Sequence, residues 1–444
     1  MMPNILLIVC DTMNRDALRV YGGEAKTPNL EKLAKDSMVY DNCIAPSPWT
    51  FPSHVSLFTG MYPSEHGVHE TNDEKTEELA VKHMNLDAKR LPEYLQSEGY
   101  NTIGISNNLM ISRFTGFDKG FNLFFNLEPS PWGKSKLGTE GKRLGSDIKQ
   151  VGAELIRRGR SDEIPKFAKE FLRIKRMARA FNYPMDKGAS LANNLIADMA
   201  LRNKFFLFVN YYEVHEPYVS FDDKENQDNF TGIKPYSDGR VRELKADYVS
   251  EAEYLDGHIG ALIEMLKMRG LYEDTMIIFT SDHGQAFNEH GFMYHGIYLY
   301  DEIVRVPLIV KYPHNRKFKK RNGYQSLVNI PDFVRDVIHG SDDRNLTSEV
   351  VFSEAYGNID RPPEAYKSRM GYVNAKYEKS RKAVYAKDMK LTVNGSEGTI
   401  EELMDGKKDL DYRHYKDKKK LAALMNLIGS QSAREKFKMP KHSL

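Results

Sequence analysis

The sequence contains little cysteine, no long apolar run and almost no net charge, and each of these absences excludes a class of protein. Its two cysteines, Cys10 and Cys43, have no CxxC or zinc-type spacing, so a disulfide framework is excluded. The 64 basic and 62 acidic residues leave a formal net charge of +2, which argues against nucleic acid as a partner. No stretch approaches the ~18 uninterrupted apolar residues of a transmembrane helix, and the apolar run Ile5–Cys10 is too short for a signal peptide. We therefore predict a cytoplasmic protein without a transmembrane segment.

Short apolar runs rich in β-branched residues alternate with helical patterns along much of the chain. The runs predict buried strands of a parallel sheet, and they lie at Ile5–Cys10, Thr102–Ser106, Phe205–Tyr211 and Thr275–Thr280. Apolar residues at helical spacing predict helices at Thr27–Ser37, Leu91–Gly99 and Tyr248–Arg269. Strands that alternate with helices form right-handed crossover units. We therefore predict an α/β fold with a doubly wound, mostly parallel sheet that helices cover on both faces.

The length of 444 residues and the hydrophobic fraction of 41% allow a large core with an appended subdomain. We place the main α/β domain at residues 1–320, and a small C-terminal α+β subdomain with a basic helical tail at residues 321–444. The second assignment follows from Lys382–Val393, which alternates like a pair of sheet strands. A basic insertion at residues 129–190 has helical patterns at Ile148–Arg158 and Pro165–Phe181. It is either a solvated lid or a surface that binds an anionic polymer or a membrane.

Thr50 is predicted to lie at the start of a helix. It stands two positions before Pro52, which begins an apolar helical pattern that continues through Phe58. Proline is favoured in the first turn of a helix, because its missing N–H would be unpaired there in any case. The hydroxyl is then at the positive end of the helix, where free backbone N–H groups attract an anion. Such a residue either caps the helix or acts on a bound anion.

Polar residues follow the predicted strands, at the edge where α/β sheets bind their ligands. Asp11 follows the first strand, and Asp282 and His283 follow the strand at Thr275–Thr280. If these strands are neighbours, the two carboxylates, the imidazole and the hydroxyl of Thr50 can surround one divalent ion. A hydroxyl bound to such an ion loses its proton far more readily than a free one, which makes threonine a nucleophile.

Several segments occur in the order found in one known family, namely PNILLIVCDT, TPNLEKLA, SPWTFPSHVSLFTG, YPSEHG, GFDKGF, HEPY and SDHG. On these motifs the sequence resembles the sulfatase family, within the alkaline phosphatase superfamily, over most of its length. The resemblance implies an alkaline-phosphatase-like α/β fold with a smaller C-terminal sheet subdomain, so that residues 1–320 form the catalytic domain. It also implies hydrolysis of a sulfuric or phosphoric ester through a covalent intermediate on residue 50.

The chain departs from the family pattern at the nucleophile and at the metal motif. Sulfatases carry C/S-x-P-S-R, whose first residue is oxidised to formylglycine, whereas this chain has T-F-P-S-H from Thr50 to His54. Threonine cannot be converted, so formylglycine chemistry should be absent. The family usually has Asp-Asn where this chain has Asp282-His283. An imidazole in place of an amide oxygen favours Zn²⁺ or Mn²⁺, with Ca²⁺ and Mg²⁺ as the alternatives.

These departures resemble the threonine branches of the superfamily, which include phosphodiesterases, phosphonate-ester hydrolases and phospholipid-headgroup transferases. A phosphate ester is therefore as good a candidate substrate as a sulfate ester, and its alcohol part is a glycan or a lipid headgroup. Two-metal relatives carry an Asp-x-x-x-His pair, but the residue four before His215 is Tyr211, so we expect one metal. Two alternatives stay open: a headgroup transferase of the same fold, and a non-catalytic protein that binds anionic glycans through its basic insertion.

The resemblance also implies which side chains serve the substrate. His215, in EVHEPY, matches the family histidine that contacts the transferred group, and His295 falls where relatives place a lysine or histidine near the leaving oxygen. Either histidine is a candidate general acid, because imidazole titrates near neutrality. His54 replaces the family arginine, and Asn108 and Lys311 are candidates for contacting the oxyanion.

Overall fold

The structure is a computed structural model that describes residues 2–69, 76–127, 185–315, 323–341, 346–357, 363–406, 408–432 and 437–440. Most of the predicted basic insertion, including its helical patterns at Ile148–Arg158 and Pro165–Phe181, lies outside the described residues. Within the described ranges, no helix is both long enough and apolar enough to cross a membrane.

The described part of the chain forms two larger sheets with helices around them. Its strands are β1 (Asn4–Cys10), β2 (Met38–Ile44), β3 (Asn101–Ser106), β4 (Leu123–Asn126), β5 (Phe205–Tyr211), β6 (Thr275–Thr280), β7 (Ala286–Phe287), β8 (Met293–Tyr294), β9 (Arg305–Lys311), β10 (Tyr324–Ser326), β11 (Thr347–Ser348), β12 (Val350–Ala355), β13 (Arg381–Ala386), β14 (Met389–Asn394), β15 (Thr399–Asp405) and β16 (Lys408–Asp409). Its α-helices are α1 (Pro28–Lys35), α2 (Thr50–Thr59), α3 (Pro63–His66), α4 (Thr76–Met84), α5 (Leu91–Ser97), α6 (Ala189–Asp198), α7 (Asp223–Phe230), α8 (Asp238–Met268), α9 (Asp301–Val304), α10 (Ile330–Ile338), α11 (Met370–Tyr377) and α12 (Lys418–Gln431).

Nine strands form the main sheet, in the order β11-β10-β2-β9-β6-β1-β5-β3-β4. The five strands from β6 to β4 in that order are parallel, and β10 is parallel to β2. Strands β9 and β11 run antiparallel to their neighbours. The predicted doubly wound, mostly parallel sheet is confirmed.

The central strand β1 is apolar on both faces, which is why helices cover both sides of the sheet. Ile5 and Leu7 pack into a core with α2, α5 and α10. Leu6 and Ile8 point to the other face and pack into a core with α1, α6 and α8. All four side chains have no exposed surface, and such burial stabilises the fold by roughly 25 cal/mol for each Å² of apolar area removed from water.

The carboxyl ends of β1, β5 and β6 meet at one edge of the sheet. Cys10 pairs with Tyr211 of β5, and Val9 pairs with Thr280 of β6. The N–H of Asp11 extends this ladder by donating to the carbonyl of Tyr211 at 2.8 Å. The residues that follow these strands are therefore neighbours in space.

The main domain extends further along the chain than the predicted boundary at residue 320. Strand β10 pairs with β2, and β11 pairs with β10, so residues as far as Ser348 belong to the nine-stranded sheet. Strands of three and two residues are too short to leave a periodic pattern in the sequence, which is why the boundary is misplaced. The second sheet, β12-β13-β14-β15-β16, is antiparallel, and α12 packs on it. Its strands β13 and β14 are the pair predicted at Lys382–Val393.

Candidate active site

Asp11, Asp282 and His283 converge at the carboxyl edge of the main sheet, and none of them has exposed surface. Nε2 of His283 lies 3.6 Å from Oδ1 of Asp11 and 3.5 Å from Oδ2 of Asp282. Ligand atoms of the three residues all lie within 4.8 Å of one another, a spacing at which they could hold one metal ion. We call these residues, together with Thr50, the metal-ligand group.

The hydroxyl of Thr50 completes this group. Helix α2 begins at Thr50, and Pro52 lies in its first turn. Oγ1 of Thr50 lies 3.2 Å from Nε2 of His283. The hydroxyl of Ser53 donates to the carbonyl of Asp282 at 2.6 Å, which ties the first turn of α2 to the loop after β6. Thr50 is thus held both at the positive end of a helix and beside the other ligands.

Each carboxylate of the group has one oxygen that the protein holds and one that it does not. Oδ2 of Asp11 accepts from Asn108 at 2.6 Å, and Oδ1 of Asp282 accepts from the backbone N–H of His283 at 2.9 Å and of Thr12 at 3.3 Å. Oδ1 of Asp11 and Oδ2 of Asp282 are buried and have no hydrogen-bond partner in the described part of the chain. A buried polar atom without a partner costs about 1–3 kcal/mol, and more when it is charged. These two oxygens therefore fit a bound cation.

His283 presents the ring nitrogen that a metal requires. Its Nδ1 lies 3.0 Å from the carbonyl of Gly284, so Nδ1 carries the proton and Nε2 keeps a lone pair. Burial lowers the pKa of His283 to about 3, which keeps the ring neutral at physiological pH. A neutral imidazole is the form that binds a metal ion.

The two carboxylates need a positive charge between them. Burial raises the pKa of Asp282 to about 7, and burial together with the neighbouring Asp282 raises the pKa of Asp11 well above its usual range. Two ionised carboxylates are therefore unfavourable at this place unless a cation compensates them. Two carboxylates, an imidazole and a hydroxyl form a mixed oxygen and nitrogen set that suits Zn²⁺ or Mn²⁺.

His215 and His295 lie beside the metal-ligand group. The ring centroid of His295 is 4.5 Å from that of His283 and 5.0 Å from that of His215. Burial lowers the pKa of His215 and lowers the pKa of His295 to about 4. The structure thus brings both predicted substrate histidines to the same place as the ligands.

Glu216 stands between the two histidines. Its Oε2 lies 3.6 Å from Nδ1 of His215 and 3.9 Å from Nδ1 of His295, and these three residues form a second group whose ligand atoms lie within 4.8 Å. Burial acts to raise the pKa of Glu216, but the two histidines outweigh it and lower the pKa to about 2. Both Nδ1 atoms are already engaged, that of His215 with the carbonyl of Glu216 at 2.6 Å and that of His295 with Oε1 of Gln285 at 2.7 Å. In the second group the Nδ1 atoms of both histidines thus have hydrogen-bond partners within the protein, whereas in the first group one oxygen of each carboxylate has none.

A cavity of about 500 Å³ opens beside the two histidines. His215, Glu216, His295, Asn107 and Asn108 line it on the side of the metal-ligand group. The rest of its lining is mainly aromatic and amide side chains, namely Tyr212, Phe221, Asn226, Gln227, Asn229, Phe230, Asn288, Phe292, Tyr294 and Tyr377. Such a lining suits a ligand that combines apolar faces with hydroxyl groups.

Two of the three predicted substrate-binding residues lie at the site but hold its ligands. Asn108 lines the cavity, and its amide donates to Oδ2 of Asp11. His54 is fully buried, with Nδ1 at 2.9 Å from the carbonyl of Thr50 and 3.4 Å from Oδ2 of Asp282. Both side chains therefore support the metal-ligand group.

Lys311 does not belong to the site, and the prediction for this residue is wrong. Strand β9 runs antiparallel to β6, so Lys311 at its carboxyl end lies near the amino end of β6. There Nζ donates to the carbonyls of Tyr272, Glu273 and Thr275 at 2.5, 3.1 and 3.2 Å. The length of the sheet separates this ammonium group from the metal-ligand group.

Three residues that shape the site were not predicted, namely Lys187, Glu216 and Gln285. Lys187 donates to the carbonyls of Glu213 and His215 at 2.6 and 2.5 Å, so it holds the turn that carries His215. Gln285 contacts His295, as described above. The position of Gln285 two residues after His283 placed it near the site but gave no sign of its contacts, and nothing in the sequence around Lys187 pointed to the site.

Comparisons with known proteins agree on one family and one fold. The family model described as "Sulfatase" matches residues 3–340. N-acetylglucosamine-6-O-sulfatase of Bacteroides thetaiotaomicron is 25% identical over 70% of this chain and 63% of its own length, so this chain spans less than two thirds of that relative. The multifunctional alkaline phosphatase superfamily protein PehA of Trinickia caryophylli is 26% identical over 69% of this chain and 68% of its own. The phosphonate monoester hydrolase of Agrobacterium radiobacter has the same fold, with a TM-score of 0.65 and 17% identity over 97% of this chain and 96% of its own.

Proposed function

The chain belongs to the sulfatase family, and on that premise we propose that it is a metal-dependent hydrolase that cleaves a sulfate or phosphate ester. The reaction passes through a covalent intermediate on Thr50, without formylglycine. One observation carries the proposal: Oγ1 of Thr50 lies 3.2 Å from Nε2 of His283, beside the two buried and unpartnered oxygens of Asp11 and Asp282.

Asp11, Thr50, Asp282 and His283 would hold one divalent cation. Bound there, the cation would lower the pKa of the Thr50 hydroxyl and neutralise charge on the ester. The protein's own contribution is to exclude water from these atoms, since all four residues are buried. Asn108 keeps the carboxylate of Asp11 in place, and the backbone N–H groups of His283 and Thr12 keep that of Asp282. His54 supports the first turn of α2 through the carbonyl of Thr50.

The chemistry takes two displacement steps. In the first, Oγ1 of Thr50 attacks the sulfur or phosphorus atom and loses its proton to solvent. The bond from that atom to Oγ1 forms and the bond to the leaving oxygen breaks. His215 or His295 takes up a proton from solvent when the anionic ester binds beside it, because a nearby negative charge favours the imidazolium, and gives that proton to the leaving oxygen. In the second, water attacks the same sulfur or phosphorus atom and returns a proton to that histidine. The bond to Oγ1 breaks, the Thr50 hydroxyl regains a proton from solvent, and sulfate or phosphate departs.

The alcohol part of the substrate is proposed to be a glycan. The aromatic and amide lining of the cavity supports this choice, because sugars offer both apolar faces and hydroxyl groups to such walls. The name of one relative, an N-acetylglucosamine-6-O-sulfatase, points the same way. A lipid headgroup is the second candidate. The complete metal-ligand group supports an enzyme over a non-catalytic glycan-binding protein.

Thr50→Ala tests the proposal. The substrates are p-nitrophenyl sulfate, p-nitrophenyl phosphate, bis-p-nitrophenyl phosphate and a p-nitrophenyl phosphonate ester, each with Mn²⁺, Zn²⁺, Mg²⁺ and Ca²⁺. We expect the wild-type protein to turn over at least one of them and Thr50→Ala to reduce kcat by roughly 1000-fold or more, because the covalent route requires the hydroxyl.

Thr50→Ser is the matched control, since it keeps the hydroxyl and should retain turnover. Activity of Thr50→Ala close to that of the wild type would refute the assignment of the nucleophile. Tight binding of heparin by a protein that contains no metal and turns over none of these esters would favour the non-catalytic alternative instead.

A further inference from the structure

A chain of polar side chains behind His295 has no part in the two steps above. Nδ1 of His295 lies 2.7 Å from Oε1 of Gln285, and Nε2 of Gln285 lies 2.8 Å from Oε2 of Glu216 and 2.6 Å from Oη of Tyr218. We infer that Gln285 is a positioning residue that holds His295 in one tautomer and one ring orientation, and that Glu216 sets the direction of its amide. The inference rests on the proposed function, in which His295 serves the ester.

The charge of Glu216 determines which way the amide faces. A glutamate ordinarily titrates at about 4.3, and Oε2 of Glu216 lies 3.6 and 3.9 Å from Nδ1 of His215 and His295, which lower its pKa although burial opposes this. The carboxylate is therefore ionised at neutral pH. An ionised carboxylate can only accept hydrogen bonds, and the amide group that faces it must therefore be the NH₂. The two N–H bonds of this group match its two acceptors, Glu216 and Tyr218. The amide oxygen is then left to face His295.

The amide oxygen in turn determines the tautomer of His295. An amide oxygen has no proton to give, so the proton of this hydrogen bond must belong to Nδ1 of His295. Nε2 is then the nitrogen that acts in the cavity, which the ring of His295 lines. A histidine that works as an acid or base needs its tautomer fixed in this way, because a ring with the proton on the wrong nitrogen cannot act.

Gln285 is itself held firmly. It has no exposed surface, its N–H donates to the carbonyl of Glu302 at 3.0 Å, and its carbonyl accepts from Asn14 at 3.1 Å. Gly284, which joins it to His283, lies so close to the carbonyl of Glu302 that any side chain there would collide with it. His295 is thereby tied to the loop that carries two members of the metal-ligand group, and its ring keeps a constant position relative to Thr50.

Gln285→Met tests the inference, because methionine keeps the length of the side chain and removes the amide. The assay uses bis-p-nitrophenyl phosphate or p-nitrophenyl sulfate, whichever the wild-type protein turns over faster. We expect kcat to fall about 10- to 100-fold, the range found for partners that orient a functional histidine. KM and the metal content per chain should stay close to those of the wild type. Gln325→Met is the matched control, since Gln325 is a buried glutamine in β10 whose amide donates to Thr347 at 3.2 Å, and it should leave kcat unchanged.

Two combinations of substitutions separate positioning from a general loss of structure. In a His295→Ala background, Gln285→Met should cause no additional loss, because the ring that it orients is absent. Gln285→Glu alone should be strongly impaired, since it sets a second carboxylate against Glu216. Adding Glu216→Gln to that variant exchanges the roles of the two positions, so that the amide at position 216 donates to the carboxylate at position 285. This double variant should recover kcat by about tenfold or more relative to Gln285→Glu.

Four results would overturn the inference: wild-type kcat in Gln285→Met, the same fractional loss in the His295→Ala background, a loss of metal that accompanies the loss of kcat, or no recovery in the exchanged pair. A failure of the proposed function has a different signature. In that case Thr50→Ala retains turnover, whatever the Gln285 variants do.

Discussion

The charge of Asp282 should have opposite effects on stability in the absence and in the presence of the metal. In the metal-free protein, burial raises the pKa of Asp282 from 3.8 to about 7. A carboxyl group with a raised pKa keeps its proton in the folded protein over a pH range in which the unfolded chain has already ionised. The metal-free protein therefore loses stability as pH rises from about 4 to about 7, and above that range the loss is complete.

The size of this effect follows from the shift. About three pKa units correspond to about 4 kcal/mol of destabilisation at pH 8. Asp282→Asn removes the charge, and its amide oxygen can still accept from the backbone N–H groups of His283 and Thr12 that Oδ1 of Asp282 now engages. In EDTA, the variant should therefore be more stable than the wild type at pH 8. Its advantage should be about 3 kcal/mol larger at pH 8 than at pH 5.

When the metal is added, the wild-type protein should become more stable than Asp282→Asn. A ligand present at a thousandfold excess over its Kd stabilises the folded state by about 4 kcal/mol, and Asp282→Asn should lose most of this gain because it lacks one anionic ligand. Urea unfolding followed by circular dichroism, in EDTA and in Mn²⁺ or Zn²⁺, measures both effects.

Asp256→Asn is the control for this experiment. Asp256 is a buried carboxyl group outside the site that accepts from the backbone N–H groups of Asn29 and Leu30 at 3.0 and 2.8 Å, and its variant should keep the whole stabilisation by metal. If Asp282→Asn is less stable than the wild type in EDTA at pH 8, or gains as much from metal as the wild type does, the electrostatic account of the site is refuted.

Two further substitutions test the placement of individual residues. Asn108→Ala removes the amide that donates to Oδ2 of Asp11 at 2.6 Å, so metal affinity, measured by competition with a fluorescent chelator, should fall about 10- to 100-fold; unchanged affinity would show that the amide does not orient this ligand. Lys311→Met removes an ammonium group that donates to three backbone carbonyls at the opposite edge of the sheet. The carbonyls of Tyr272 and Glu273 keep a backbone N–H donor, so the free energy of unfolding should fall by only about 1 kcal/mol while kcat stays at the wild-type value. A loss of kcat comparable to that of Thr50→Ala would show that Lys311 does contribute to the active site.

The metal-ligand group could be predicted from the sequence because it depends on a rule of topology. Asp11, Asp282 and His283 each follow a strand that reads as a continuous apolar run, and parallel strands in an α/β sheet end at the same edge. Thr50 could be placed because a proline in the first turn marks the start of a helix. None of these inferences required knowledge of the path that a loop takes.

Lys311 could not be placed by the same rule, because the rule says nothing about strand direction. Strand β9 also contains Pro307, and proline disfavours a strand in the interior of a sheet. In the structure Pro307 lies opposite an irregularity in β2, where the pairing shifts between Tyr40 and Cys43, so its missing N–H interrupts no regular ladder. The sequence pattern shows neither the antiparallel direction of β9 nor the irregularity in β2 that accommodates Pro307.

Glu216 and Gln285 could not be predicted because their role depends on side-chain directions in two loops. Glu216 reads as a surface residue between a histidine and a proline, and Gln285 as an ordinary polar residue after a metal motif. Only their hydrogen bonds to each other and to His295 show that they form one chain of contacts.

The origins of the metal-ligand group and of the cavity wall explain how such a protein can keep its reaction while its substrate changes. Asp11 and Asp282 are attached to the ends of paired strands, and a slip of one residue along such a ladder would move a ligand by about 3.3 Å, more than metal coordination tolerates. The far wall of the cavity comes instead from α7, α11 and the residues around β8, which lie outside that ladder. A substitution of Phe230 or Tyr377 can therefore reshape the space for the alcohol without moving a ligand. The hydrogen bonds of Gln285 connect these two regions. A substitution in the cavity wall that also changed the orientation of His295 would therefore change kcat as well as the choice of substrate.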